Sequence, residues 1–446
     1  MSESANTVFG LKWHSRNAIA LTAARKARLQ NLSALILTNA LVMGIGFLTR
    51  VKIANIVGKE VFGLMAYGMA LGHLGAMFVR FGLDRTLVRD LVHFPDRFGK
   101  TVAASIALRG VIFIFVLFGF FVWKLCLPNT GDLLWGVIAI ALTRCLVALD
   151  LQSVYDTWQK TNRHAVYNVI QKCFYFSIIW AVVIHSPSRL SLNLIGFSMM
   201  TAMLLYLFMQ YRWAFRREDF FNFRESIFDL ALSMGKRNVL VCLSAFAGIT
   251  FDSINQIILK FYCGTKELGG YAAAWQITLL TTIMLLQVSR IAKPVTASVT
   301  GPGVERKNRI EYLLKYSASI ILIVTPICIP LVFFPKMILT TFFRPEYASA
   351  AEILRVMGFY IWIIGIGQVS SEYIISRRIE KLYLASNFLG SGFCIILCFA
   401  LIPKFSGLGA ALSLLIGHGI AIFCYFLCVI KDVGVKNPPT KRGALG

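Results

Sequence analysis

The chain has 446 residues, of which 57% are hydrophobic and 15% charged, against about 45–50% and about 25% in soluble domains. That balance, with a mean hydropathy of +0.69, excludes an ordinary soluble protein. Uncharged runs long enough to cross roughly 30 Å of hydrocarbon recur throughout, so the chain reads as a polytopic membrane protein. A formal net charge of +24 would suggest nucleic acid in a soluble chain, but in membrane proteins Lys and Arg collect in loops that are never translocated.

The first 30 residues hold Lys12, Arg16, Arg25, Lys26 and Arg28 with no apolar core and no small-residue cleavage site. They read as a cytoplasmic tail, not as a signal peptide. Charge-poor runs then predict twelve helices, at about 32–56, 61–84, 101–124, 133–152, 164–185, 190–211, 238–260, 268–290, 313–334, 351–375, 382–403 and 405–430. Continuous apolar runs, rather than alternating ones, favour helices over a barrel, and the fold class is all-α. Between these helices Lys and Arg fall thirty on one side and nine on the other. The asymmetry puts both termini in the cytoplasm and accounts for most of the basic excess without a nucleic-acid partner.

The segment Arg212–Arg237 mixes Phe215, Phe220, Phe221, Phe223 and Phe228 with Arg216, Arg217, Glu218, Asp219, Arg224 and Glu225. It reads as an interfacial amphipathic helix. Six spans lie on either side of it. Lys59-Glu60-Val61-Phe62-Gly63 after span 1 reappears, at an offset of 207, as Lys266-Glu267-Leu268-Gly269-Gly270 after span 7. The organisation expected is a tail at 1–30, a first lobe at 31–211, a cytoplasmic linker at 212–237, a second lobe at 238–430 and a tail at 431–446. Because six is even, the halves share one orientation, and a substrate site belongs in a central cavity between them.

A charge near the bilayer centre costs about 2.5–3.5 kcal/mol and needs a reason. Span 1 carries the stripe Asn39, Met43, Gly46 and Arg50; span 2 carries His73, Met77, Arg80 and Asp84; Arg109, Arg144 and Lys172 interrupt spans 3, 4 and 5. The second half offers Asp252, Arg290, Arg355 and Glu372. Arg80 and Asp84 stand i,i+4 and can neutralise each other, Arg85, Arg89 and Arg290 suit snorkelling anchors, and His73 and His418 suit packed positions. Arg50 and Arg144, with Arg80 as the weaker candidate, are expected to bind an anionic substrate, since guanidinium forks match phosphate oxygens. Asp252 is either a counter-ion to these arginines or a coupling-ion site. The cavity is therefore expected to be more basic on its N-terminal wall. Ten cysteines show no metal-ligand spacing, and there is no nucleotide, metallohydrolase or nucleophile motif, so no cofactor, metal or catalytic residue is expected. Gly68, Gly72, Gly365 and Gly367 permit close helix approach.

Three segments carry a resemblance: Gly46-Phe47-Leu48-Thr49-Arg50; Val57-Gly58-Lys59-Glu60-Val61-Phe62-Gly63-Leu64; and Phe81-Gly82-Leu83-Asp84-Arg85-Thr86-Leu87-Val88-Arg89-Asp90. In order and spacing they resemble the opening of the O-antigen and exopolysaccharide unit flippases (Wzx-type) of the multidrug/oligosaccharidyl-lipid/polysaccharide exporter superfamily. Pro403 to Ala411 looks like that family's last outer turn. The resemblance implies two six-helix lobes around a cavity of alternating access, in the bacterial inner membrane. The implied substrate is an undecaprenyl-diphosphate-linked glycan, with polysaccharide polymerase and chain-length machinery as partners, and Arg50 matches the family's first-helix Arg. Lipid II flippases usually carry two further helices, which are not predicted here. A multidrug exporter of the same superfamily would want an acidic cation site, for which span 1 has no Asp or Glu. A membrane polymerase or ligase would want a large outer loop, and the longest outer connection, about 335–350, is short.

Overall fold

Within lipid, a backbone N–H or C=O has no water to pair with, so the apolar runs close their hydrogen bonds internally as helices. The computed structural model describes residues 15–434 apart from 94, 127–132, 159, 217–226, 301–304 and 378, and nearly all of these are helical, with no strand among the described residues. The side chains of 15–41 and of scattered positions, including Arg85, Asp252 and Arg290, lie outside that description.

Among the described residues eight stretches are long and apolar enough to cross a membrane. Several continuous helices are in fact two. Ser15–Arg80 breaks at Gly58 (φ 78°), Asn255–Val299 at Gly264 (φ 82°), and Glu380–Gly434 at Ser406 (φ 51°). Gly58 and Gly264 adopt a conformation that only glycine takes readily, and a Cβ at either would meet nothing closer than 3.9 Å, so the demand there is conformational rather than steric. With these breaks, and with Ile227–Val239 and Val241–Ile249 meeting at 51°, the described chain gives twelve spans. They are 15–57, 59–80, Phe98–Cys126, Leu133–Thr157, Thr161–His185, Leu192–Ala214, 227–263, 265–299, Arg306–Phe333, Pro345–Ser376, 380–405 and 407–434. The all-α, twelve-helix architecture expected from the sequence is present.

Helix ends depart from the expectation. Span 1 starts at Ser15 rather than 32, span 7 at Ile227 rather than 238, and span 8 runs to Val299 rather than 290. Counting uncharged residues finds where lipid ends, but the hydrogen-bond ladder does not stop at a charge, and runs such as Ala-Ala-Arg-Lys-Ala-Arg-Leu favour helix strongly. The middle of the amphipathic helix expected across 212–237, at 217–226, lies outside the described residues; its last part, from Ile227, is continuous with span 7.

The two halves meet at the end of the bundle that carries the Gly58 and Gly264 turns. A Cβ at Gly63 would lie 1.9 Å from the Thr265 carbonyl oxygen, and one at Gly269 would lie 1.8 Å from that of Lys59. These contacts are reciprocal at an offset of 206. The internal repeat therefore registers one residue away from the 207 suggested by matching Lys-Glu pairs, and places Gln256 opposite Arg50. Around this seam Asn55 donates to the Phe342 carbonyl at 2.8 Å, the Tyr347 hydroxyl to that of Ala54 at 3.1 Å, and Lys59 Nζ to Ser349 Oγ at 2.8 Å. Phe62 packs on Phe343 and Tyr347 in the same place. Apolar core and paired polar groups together close this end of the molecule.

At the other end, Arg109 of span 3 ties the first half together. It is 4% exposed and donates at 2.8 Å both to the Ala148 carbonyl of span 4 and to Asp84 Oδ1, while Asp84 Oδ2 faces Arg80 at 3.6 Å. Arg109 is thus accounted for structurally, and Asp84 is shared. Hydrogen bonds to charged partners contribute about 1.5–3 kcal/mol when buried, so Arg109→Leu should lower stability by about 2 kcal/mol. Exposed ion pairs contribute under about 1 kcal/mol, so Arg80→Leu should barely change it. Thermal unfolding of the two purified variants in detergent checks this, and equal shifts would contradict it.

Candidate functional site

Four adjoining hollows run through the interior. One lies against Gly46, Arg50, Thr143, Arg144, Lys172 and Tyr175. The next is shared by Met43, Gly46, Arg50, Lys172 and Gln276, and two more are lined by His73, Met77, Arg80, Asp84, Arg144 and Ile249. The stripes read from spans 1 and 2 therefore face this cavity, as far as their side chains are described.

Local sequence explains how each cation arrives. Gly58 ends span 1 two turns beyond Arg50, fixing the depth of its guanidinium. Gly72 presents bare backbone to span 4, where a Cβ would lie 2.6 Å from both the Ala141 carbonyl and Arg144 Cβ. Spans 2 and 4 can therefore touch, and the Arg144 side chain leaves that contact toward the hollow. Lys172 comes from span 5 and lines the same space as Arg50.

The electrostatics separate these groups. Arg80 carries its own counter-ion in Asp84. Arg50, Arg144 and Lys172 take part in none of the ion pairs among the described residues. Arg50 donates to the neutral Gln276 Oε1 at 2.6 Å, and Arg144 Nη2 has only the Met69 sulfur, at 3.5 Å. The Arg144 Nε and the Tyr175 hydroxyl are buried without a hydrogen-bond partner. Buried polar atoms are nearly always paired, so the donor set fits an anionic, oxygen-rich occupant.

Sequence reasoning brought Arg50, Arg144 and Arg80 to this cavity. It counted Lys172 among the charges within spans but did not select it, and it missed Gln276 and Tyr175, which look like ordinary residues of apolar helices. Arg355 lies away from the cavity, bonded to Glu352 at 2.7 Å and to the Val332 carbonyl at 3.1 Å. Asp252 sits in a π-helical turn, Thr250–Ile254, but its side chain is outside the described residues; the adjacent Ser253 hydroxyl lies 3.4 Å from His73 Nδ1. Glu372, in span 10, is buried and held by Ser289, by Tyr316 at 3.0 Å and by Gln368 at 3.0 Å. The described lining from the second half, Gln276, Leu279, Leu280, Ala245, Gly248, Ile249, Tyr383, Leu384 and Asn387, contains no cation.

The model of a family described as polysaccharide biosynthesis protein matches residues 28–297, more than half of the chain. The chain belongs to that family. It is also 20% identical, over 88% of its own length and 80% of the relative's, to MJ1068 of Methanocaldococcus jannaschii, an uncharacterized membrane protein. Among solved structures it resembles the lipid II flippase MurJ in an inward closed conformation, with a TM-score of 0.72, 16% identity and coverage of 90% of this chain and 89% of that one. It also resembles an inward-facing multidrug resistance MATE transporter of the MOP superfamily, with a TM-score of 0.63, 14% identity and coverage of 87% and 94%. At these identities the likeness is one of fold, that of the multidrug/oligosaccharidyl-lipid/polysaccharide exporters.

Proposed function

We propose that this protein flips undecaprenyl-diphosphate-linked oligosaccharide units across the bacterial inner membrane by alternating access, supplying O-antigen or exopolysaccharide synthesis. The observation that carries this reading is the set Arg50, Arg144 and Lys172, three cations that line one cavity and have no carboxylate partner among the described residues. A diphosphate entering a low-dielectric bundle loses several kcal/mol of hydration per charge. Guanidinium forks placed beforehand replace much of it through paired N–H···O bonds. The isoprenoid tail stays in lipid while the head group and sugars occupy the cavity. Arg80, balanced by Asp84, serves at the cavity's edge, and Asp252 is retained as a counter-ion or coupling-ion candidate. The MurJ relationship in fold, together with membership of a polysaccharide biosynthesis family, supports a lipid-linked glycan as cargo.

The moving bodies are the lobes 31–211 and 238–430, joined by 212–237 and flanked by the tails 1–30 and 431–446. The thirty-to-nine division of Lys and Arg orients both termini to the cytoplasm, which makes the Gly58–Gly264 seam the outer gate, closed here. With the cytoplasm negative, an anion moving outward gains about 2.3 kcal/mol per charge per 100 mV, so the membrane potential favours export. Polymerase and chain-length machinery take the flipped unit onward. Topology reporters fused after Asn129 and after Arg163 should report opposite sides; the same side would refute the assignment of spans from span 4 onward.

Removal of the gene tests the function. Lipid-linked oligosaccharide extracted from the deletion strain should accumulate on the cytoplasmic leaflet while surface polysaccharide falls. Unchanged surface glycan with altered sensitivity to cationic drugs would favour a multidrug exporter instead.

A further inference from the structure

Gln276 lies on span 8, in the second half, and is 6% exposed. Its amide oxygen accepts from Arg50 Nη1 at 2.6 Å across the boundary between halves, and both residues line the same hollow with Lys172. Other bonds across that boundary lie away from the cavity: at the Gly58–Gly264 seam, where Asn55, Lys59, Tyr347, and Glu60 with Thr265, are paired, and at the opposite end, where the Thr86 hydroxyl donates to Asn238 Oδ1 at 2.9 Å. Among the described residues two side-chain bonds between the halves lie on the cavity wall: this one and the longer contact of His73 with Ser253. Only the Arg50 bond has a permanently charged donor.

The chemistry of this pair is unequal. A guanidinium has five N–H donors in a rigid fork, and the described structure gives Arg50 one side-chain acceptor, a neutral amide. A diphosphate offers ionised acceptor oxygens that a guanidinium can engage in paired, bidentate bonds, whereas the amide offers one neutral oxygen. A diphosphate reaching the cavity therefore takes the fork from Gln276, and the buried amide oxygen is left without its donor, which disfavours the present arrangement of the halves.

Resting on the flippase reading, we infer that Gln276 is a positioning residue. It holds Arg50 across the lobe boundary, and the exchange of Arg50 from Gln276 to the substrate's phosphate releases that link, so that loading the cavity loosens the two halves. The exchange imposes a cost on binding, because only molecules with Arg50 free present the full fork.

Two measurements on the full-length purified protein test this. Without ligand, a thermal-unfolding cycle of Arg50→Ala, Gln276→Leu and the double variant should be non-additive; additivity overturns the link. Farnesyl diphosphate and inorganic diphosphate then serve as probes. Gln276→Ala and Gln276→Leu should bind both probes about fivefold more tightly than wild type, and Gln276 substitutions should have no effect in the Arg50→Ala background. A residue that merely packs would give unchanged or weaker binding when truncated, and that result overturns the exchange. Wild type binding neither probe, with the unfolding cycle still non-additive, would instead sink the flippase reading and with it the exchange, leaving only the inter-lobe bond established.

Discussion

Arg50→Ala should reduce glycan export about 100-fold or more while membrane levels of the protein stay close to wild type. Among the described residues Arg50 has no carboxylate to strand when it is removed, and its bond to Gln276 is to a neutral acceptor. The fold therefore loses about 1.5–3 kcal/mol, the strength of one buried bond from a charged donor. The substrate loses a bidentate, charge-assisted contact of about 3 kcal/mol, roughly two orders of magnitude in binding. Arg50→Lys should keep about a tenth of the activity, since a point charge remains and the planar fork does not. Arg144→Ala should behave like Arg50→Ala, whereas Lys404→Ala, exposed at the end of span 11 and outside the cavity, should be silent. The check is surface polysaccharide in a deletion strain complemented with each variant, normalised to membrane protein. An Arg50→Ala strain with wild-type glycan would contradict the assignment.

Gly269→Ala should hold the seam apart. Its Cβ would stand 1.8 Å from the Lys59 carbonyl oxygen, and no rotamer change relieves a clash between two backbones. Overpacking of this kind costs about 1–3 kcal/mol, enough to move a balanced open–closed equilibrium about 10- to 100-fold toward open. Gly63→Ala, with 1.9 Å to the Thr265 oxygen, should do the same from the other half, and Gly119→Ala, where a Cβ meets nothing within 4 Å, should not. A Lys59→Cys/Ser349→Cys pair in a cysteine-free background, bridged by a short bis-thiol reagent, reports closure. Cross-linking at wild-type yield in Gly269→Ala would show that the seam is not the gate.

Much of this architecture is legible in the sequence because lipid imposes it. Unbroken apolar runs must be helices, and both the number of spans and the inward stripe of Met43, Gly46 and Arg50 follow from that. What stayed illegible has particular causes. Span 5 is largely apolar, so nothing local says that Lys172 and Tyr175 rather than Asn168 turn toward Arg50; packing at the edge of the lobe decides it. Gln276 is neutral and therefore silent to any search for buried charge. Arg355 looked like an intramembrane cation because Glu352, three residues earlier, was not weighed as its partner. The repeat was misregistered by one residue because letters such as Lys-Glu were matched, whereas symmetry is kept by the glycines, whose backbone angles and close approach cannot be substituted.

Reconstituted flipping measures the central claim most directly. Proteoliposomes holding the purified protein and a labelled isoprenoid-diphosphate oligosaccharide would be followed by accessibility of the label to an impermeant reagent, with wild type, Arg50→Ala and Arg144→Ala compared at equal protein. Wild type should transfer the label across the bilayer and both variants should fall to the rate of protein-free liposomes. If both variants flip at the wild-type rate, the basic cavity does not carry the diphosphate, and these arginines serve only packing or anchoring.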